Sequence, residues 1–169
     1  QQRRGTANRL GFALQLCSIR YPGQVFGPND TPDVRMLEVV ARQLGIDKEL
    51  WPAYARRDET RREHLQIIMT VYRYRQFETA DYRSLKSWLL PLALQSDQSM
   101  VLGHVLLKEL RARRIIVPPL AVIERLCTET MTRATRQIYA ALTESLTLKQ
   151  RRQLDKLFLP HENRSFSVL

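Results

Sequence analysis

The residues nearest the start of the chain that could do chemistry recur at helical spacing. Asn8, Gly11, Gln15 and Ser18 fall on one stripe of a helix expected from about Thr6 to Ile19. Carboxamides can pair with an adenine edge, and a glycine lets a phosphate or another backbone come close. The same stripe could instead hydrogen-bond a neighbouring helix, and the pattern leaves both interpretations open.

Cations accompany this stripe. Arg3, Arg4 and Arg9 lie on or just before the first turns of the helix. Arginine suits bidentate contacts with phosphate. We therefore expect Arg3, Arg4, Asn8, Arg9 and Gln15 to contact a polyanion, with Arg9 on the backbone and the two amides reading bases.

A second group of cations is the densest in the chain, and its members are Arg56, Arg57, Arg61, Arg62, Arg73 and Arg75. Only three acidic residues, Asp58, Glu59 and Glu63, lie among them. The unpaired excess favours phosphate binding over a merely solvated charged face. On a helix starting at Asp58, the solvent stripe would be Arg62, Gln66, Thr70 and Arg73, with Arg61 on or near it.

That helix, the bend at residues 74–78 and the next helix resemble a helix-turn-helix with a longer turn. Tyr72, Tyr74 and Phe77 at the bend could stack on sugars or bases, although aromatic residues there more often close a core. Further along, Arg125, Thr128, Thr132 and Arg136 share a helix face suited to backbone contacts or to plain solvation.

Composition supports a nucleic-acid partner. The net charge is +10 and the pI about 10.2, and 22 of the 27 basic residues are arginines. The basic residues are distributed along the chain rather than gathered in a tail. No stretch has the length and apolarity of a membrane span, so we expect a cytoplasmic protein with no membrane partner.

Little in the chain points to catalysis. His64, His104 and His161 are isolated and lie in no metal-ligand spacing, and no phosphate-binding loop or nucleophile motif is present. We expect no cofactor, no metal, no small-molecule substrate and no enzymatic activity in this segment. Cys17 and Cys127 lie in apolar helical patterns and are expected to be buried free thiols.

Helical periodicity runs throughout, which predicts an all-α, multi-helix orthogonal bundle with helix-turn-helix-like elements and about seven or eight helices. The expected N-caps are Thr31 or Asp30 with Pro32 in the first turn, then Asp47, Thr79, Asp97 and a Thr147–Gln150 capping box. Asp58 is expected to start one further helix, and Pro118-Pro119 to open another. Gly45 should stop the second helix, and Pro91 should end or kink the helix that contains it.

Three ordered blocks resemble the N-terminal region of the Tn-three family of replicative transposases. They are Arg-Arg-Gly-x-x-Asn-Arg-Leu-Gly-Phe-Ala from Arg3, Tyr-x-x-Arg-x-x-Thr-Arg-x-Glu-His-Leu from Tyr54, and the Ile-Val-Pro-Pro passage into Ile123-Glu-Arg-Leu. The resemblance covers roughly residues 3–159.

The resemblance implies a region, 1–160, that binds the terminal inverted repeats of a transposon as double-stranded DNA. It implies that the Asp-Asp-Glu catalytic site lies elsewhere, and that the remainder of the transposase is a partner. It also implies a bacterial protein that associates with the nucleoid when bound. Two helical subdomains divided near residue 96 are an option, and residues 161–169 form a tail of unclear origin. Because the chain begins with Gln1, we expect an excised piece.

Two other functions fit the same residues. The basic helical bundle could be an interaction module that docks an acidic protein or the rest of the transposase. It could also be a stand-alone truncated regulator that occupies transposon ends and represses transposition. Salt-dependent binding to duplex DNA separates the first of these from DNA binding.

Overall fold

The computed structural model describes residues 5–56 and 58–158. These residues form eight α-helices and one short 3-10 helix, and no strand is present within the described ranges. The α-helices are α1 Thr6–Arg20, α2 Val34–Leu44, α3 Trp51–Ala55, α4 Asp58–Tyr72, α5 Thr79–Ala93, α6 Ser99–Ala112, α7 Leu120–Glu144 and α8 Leu148–Phe158, with the 3-10 helix Lys48–Leu50 before α3. The all-α fold and the number of helices are confirmed.

Helix α2 begins later than its sequence suggested. Asp33 is the N-cap, and its carboxylate accepts hydrogen bonds from the backbone N–H groups of Arg35 and Met36. Thr31 and Asp30 are therefore not caps, and Pro32 precedes the helix instead of occupying its first turn. Gly45 ends α2 as expected, with a φ of 63° that favours glycine.

Two further caps also differ by one residue from expectation. Glu78, not Thr79, caps α5 through a reciprocal capping box with Asp81. Gln98, not Asp97, precedes α6. Helix α5 continues past Pro91 to Ala93, so the proline does not end the helix at its own position. The Thr147–Gln150 capping box at α8 is confirmed.

Helix α1 is the centre of the first half of the fold. Leu10 and Leu14 pack with residues of α2 and α3, including Val40, Trp51 and Tyr54. Another side of α1 packs against α4, where Phe12 and Ile19 meet Ile68 in a second cluster. A helix that is apolar on so much of its circumference is fixed on several sides.

Helices α5, α6 and α7 form the second core. Its members recur at helical spacing along all three helices and include Leu85, Leu89, Leu106, Leu110 and Leu126. Helices α5 and α6 lie on either side of residue 96, yet they share this one cluster. The division of the chain into subdomains near residue 96 stays a prediction.

The two halves are joined where two turns run side by side. Arg75 N–H donates to the Arg114 carbonyl at 3.0 Å, and Ile116 N–H donates to the Arg75 carbonyl at 2.9 Å. Arg73 and Arg114 each adopt a positive φ, 57° and 54°, which is uncommon outside glycine. The Arg114 guanidinium donates to the Tyr72 carbonyl at 3.0 Å and so closes the C-terminal end of α4.

Candidate nucleic-acid interface

Helix α4 separates an apolar face from a polar one. Ile68 is completely buried, and Leu65, Met69 and Tyr72 pack around it. The opposite stripe is exposed at every position, and its members are Arg62, Gln66, Thr70 and Arg73. All four predicted residues are exposed, three of them on α4 and Arg73 directly after its last residue, and we call this set the α4 stripe.

Among the described residues, no acidic side chain pairs with the cations of the α4 stripe. Neither Arg62 nor Arg73 forms an ion pair with any of the described residues. The Thr70 hydroxyl donates to the backbone carbonyl of Gln66 at 2.9 Å. Gln66 is exposed and lies between the two arginines in the sequence. The stripe therefore presents two cations with an amide between them.

Arg61 does not share this exposure. It is 8% exposed and forms an ion pair with Asp58 one turn earlier. Successive helical residues are rotated by about 100°, so the side chain beside Arg62 turns from solvent toward α1. The expectation that Arg61 lies on or near the solvent stripe is wrong.

Arg75 is held by Asp81. Its two terminal nitrogens donate to the two carboxylate oxygens at 2.5 and 2.6 Å, and the Glu78 N–H donates to the same carboxylate at 3.0 Å. Hydrogen bonding by Arg75 is the main cause that lowers the pKa of Asp81 below its ordinary value. Asp81 is buried and caps α5, so the structure gives Arg75 a role in the fold that the sequence analysis did not foresee.

The amide stripe of α1 faces other parts of the protein. Gln15 is completely buried and Ser18 nearly so, with the Ser18 hydroxyl donating to the Gln24 carbonyl. A Cβ on Gly11 would lie 2.2 Å from the Tyr54 ring, so the glycine is there for close helix packing. This burial keeps Gln15 out of reach of a base that stays paired in a DNA groove, and the helix-packing alternative describes Gly11.

The remaining predicted residues divide into three groups. Arg9 and Arg56 are exposed, on α1 and at the end of α3. Asn8 is half-buried on the first turn of α1. Arg3, Arg4 and Arg57, like the tail 161–169, lie outside the described residues.

The aromatic residues at the α4–α5 bend belong to the cores. Tyr72 and Tyr74 pack in the α1–α4 cluster, whereas Phe77 packs against the α5–α7 cluster. The core interpretation of these rings is thus the one the structure supports. Helix-turn-helix geometry for α4 and α5 stays a prediction.

Sequence reasoning placed Gln66 on the α4 stripe but did not name it as a base-reading residue. The signal was present, because Gln66 follows Arg62 by four positions and precedes Arg73 by seven, so an amide lies beside arginines as it does at Gln15. The sequence did not show that the Tyr54 ring packs against the side of α1 that carries Gly11. With Gln15 buried, Gln66 is the exposed carboxamide beside unpaired arginines on α4.

Within the described ranges, no cluster of three or more His, Cys, Asp or Glu side chains is arranged to hold a metal ion. None of the described helices is both long and apolar enough to cross a membrane.

The fold and its surface define an all-α domain with an exposed, unpaired arginine stripe. By sequence, the chain belongs to the family described as Domain of unknown function (DUF4158), whose model matches residues 1–130.

Curated relatives of this chain are transposases. The chain is 46% identical to the transposase for transposon Tn3926 of Escherichia coli over 157 residues, which is 93% of this chain and 16% of that protein. It is 44% identical to the transposase for transposon Tn21 of Escherichia coli, over 96% of this chain and 16% of the relative. It is also 44% identical to the transposase for transposon Tn501 of Pseudomonas aeruginosa, over 93% and 16%. The chain thus spans about 16% of the length of these relatives.

Proposed function

We propose that this chain is the N-terminal DNA-binding region of a Tn-three-type transposase and that it recognises the terminal inverted repeats as duplex DNA. The observation that carries the proposal is the α4 stripe, whose arginines are exposed and pair with no acidic side chain among the described residues. In this proposal the strand-transfer chemistry belongs to another part of the transposase, and the protein works in the bacterial cytoplasm at the nucleoid. The named function of the relatives and the net charge of +10 support it.

The length of the α4 stripe suits a DNA groove. Arg62 lies in the second turn of α4 and Arg73 directly follows the last residue, Tyr72, and the helix axis from Arg62 to Tyr72 is about 15 Å long. The major groove is about 12 Å wide. The two arginines can therefore reach phosphates on opposite sides of the groove while the middle of the stripe faces the bases.

Gln66 occupies that middle position and carries the proposed base contact. A glutamine carboxamide can donate a hydrogen bond to N7 of adenine and accept one from its N6 amine, which together form a bidentate pair. Arg9 and Arg56 are proposed further contacts to the DNA backbone, and so are Arg3, Arg4 and Arg57, which lie outside the described residues. Such contacts position the protein without reading sequence, whereas the half-buried Asn8 is a proposed base contact.

The first experiment measures binding of the chain to duplex DNA across a salt series. If about 5 phosphates are neutralised, the logarithm of the affinity should fall with the logarithm of salt concentration at a slope of about −4 to −5. A flat dependence, or no binding at low salt, would refute the DNA-binding proposal.

The second experiment removes the two cations of the stripe as Arg62→Gln with Arg73→Asn. Asparagine is chosen at position 73 because it tolerates the positive φ there. Loss of two phosphate contacts should lower the salt slope by about 2. The matched control is Arg35→Gln with Arg42→Gln on α2, which removes the same charge from exposed positions. Equal effects of the two pairs would show that only net charge matters.

The third experiment tests sequence discrimination. Gln66→Ala should reduce the preference for an inverted-repeat end over random duplex by about 1–3 kcal/mol, with random binding almost unchanged. Asn8→Ala is the corresponding test for α1. If the preference survives Gln66→Ala, the α4 stripe only contacts the backbone.

One observation favours the alternative of a protein-interaction module. Tyr139, Leu142 and Leu148 are large apolar residues that are 63%, 63% and 74% exposed at the junction of α7 and α8. Neighbouring exposed apolar side chains are typical of contact surfaces. Under this alternative, Leu142→Glu would abolish association with the rest of the transposase while salt-dependent DNA binding is absent.

A further inference from the structure

A cavity of about 240 Å³ opens between α1, the start of α4 and the loop at residues 25–28. Its wall contains Gln15 from α1, Asp58, Arg61 and Leu65 from α4, and Phe26 from the loop. We call it the Gln15–Arg61 pocket. Arg62, the first cation of the α4 stripe, also borders it, so the pocket adjoins the proposed DNA surface.

Three buried polar atoms of this pocket lack a hydrogen-bond partner among the described residues. Two of them are the oxygen and the nitrogen of the fully buried Gln15 carboxamide. The third is the Nε of Arg61, a side chain more than nine-tenths buried. Buried polar groups are nearly always hydrogen-bonded, so each exception calls for an explanation. A ligand that supplies both a donor and an acceptor would satisfy these atoms.

The chemistry of the wall selects among ligands. A phosphate is disfavoured, because the Asp58 carboxylate already pairs with Arg61 and would repel an anion. Phe26 and Leu65 offer apolar surface for a flat ring. The volume lies below the roughly 300–1,000 Å³ of pockets for drug-sized ligands, which favours a single small planar group.

We propose that the Gln15–Arg61 pocket accepts one nucleobase turned out of the DNA helix, and this inference rests on the proposed DNA-binding function. Gln15 and the Arg61 Nε read the hydrogen-bonding edge of the base, and Phe26 and Leu65 contact its ring. Arg62 at the rim holds the adjoining phosphate. Enzymes that extrude bases read them by the same combination of edge hydrogen bonds and ring contacts.

The test uses duplexes of one length measured by fluorescence anisotropy. Four carry a single unpaired A, C, G or T, a fifth carries an unpaired abasic nucleotide, and a sixth is fully paired. The abasic duplex is the matched control, because it has the same backbone distortion without a base. At least one base-containing bulge should bind about tenfold or more tightly than the abasic bulge, given the usual strength of base–aromatic contacts.

Gln15→Leu separates a ligand-binding role from a structural one. Replacing an unpaired buried amide by an apolar group of similar size should leave the melting temperature unchanged or raise it. The same variant should lose the difference between base-containing and abasic bulges and keep its affinity for the paired duplex. Gln15→Met serves the same purpose if the leucine variant does not fold.

The outcomes of this test are distinct. If all four bases bind like the abasic bulge while the paired duplex still binds, the pocket inference is overturned and DNA binding stands. If the wild-type chain binds none of the duplexes at low salt, both are overturned. If Gln15→Leu and Gln15→Met keep the preference for a base-containing bulge, the pocket is not where the base is held, and the inference is again overturned.

Discussion

Replacing Arg75 by alanine should destabilise the fold, because Arg75 balances a buried carboxylate. Asp81 is 6% exposed and accepts two hydrogen bonds from Arg75 and one from the Glu78 N–H. Arg75→Ala leaves that carboxylate buried with a single backbone donor. Sequence reasoning assigned Arg75 to DNA, so the prediction also decides between the two roles.

The expected magnitude follows from the exposure of the two partners. Breaking a fully buried ion pair costs about 3–5 kcal/mol. Arg75 itself is about half exposed, so water can replace part of the interaction, and the cost approaches that of one or two charged hydrogen bonds. We expect Arg75→Ala to lower the free energy of unfolding by about 2 kcal/mol at neutral pH.

The pH dependence of this loss has a definite sign. The Arg75 hydrogen bond lowers the pKa of Asp81 in the folded state below the ordinary value of 3.8. Stability contributed by a depressed carboxyl pKa is present above the unfolded pKa and is lost as the pH falls through the folded pKa. The gap between wild type and Arg75→Ala should therefore be full at pH 7 and shrink below about pH 4.

The assay is urea unfolding of wild type, Arg75→Ala, Asp81→Asn and the double variant at pH 7 and pH 3, arranged as a double-mutant cycle. Arg83→Ala, which removes an exposed cation of α5, is the control for net charge. If Arg75→Ala unfolds at the wild-type urea concentration and instead weakens DNA binding, Arg75 is a DNA contact and the structural argument fails.

Two further predictions concern helix packing and thiol accessibility. Gly11→Ala should destabilise the fold by about 1–3 kcal/mol, because its new Cβ would overlap the Tyr54 ring. The control is Gly103→Ala, which should stabilise the fold by up to about 1 kcal/mol because the new Cβ would have nothing within 4 Å. Equal melting temperatures for the two variants would contradict the packing of α1 on α3. Burial raises the pKa of both cysteine thiols, and Cys127 is only 5% exposed whereas Cys17 is half-buried. A thiol reagent at pH 7 should therefore modify Cys17 before Cys127. The reverse order of modification would show that α7 opens before α1 does.

The number and approximate positions of the helices could be predicted because they depend on local patterns. Apolar periodicity gives α1 within one residue of its end, and Gly45 and the double proline before α7 punctuate the chain as expected. The caps were harder. Asp30, Thr31 and Asp33 are all good N-cap residues. Only the path of the loop decides which of their side-chain oxygens accepts hydrogen bonds from the free backbone N–H groups.

The candidate site was less predictable, because its residues are assigned by contacts from distant parts of the chain. Nothing local to α1 reveals that the Tyr54 ring lies on Gly11 and that the Gln15 side chain is buried. Likewise, Asp81 pairs with Arg75 only because the capping box at the start of α5 holds the Asp81 carboxylate beside the bend before α5. Side-chain type alone suggested DNA contacts at both positions.

Arg61 and Arg62 show how far one residue step changes a role. Arg62 lies on the exposed α4 stripe, whereas Arg61 turns inward to Asp58 and the Gln15–Arg61 pocket. A double alanine variant at both positions would therefore mix lost phosphate contacts with lost packing. Because Arg62 is exposed and unpaired, Arg62→Gln should change DNA affinity without changing stability. Arg61→Gln should lower stability, since it leaves Asp58 without its ion-pair partner and alters a buried wall. The two single variants, compared by melting temperature and by salt-dependent binding, thus separate the outer face of α4 from its inner one.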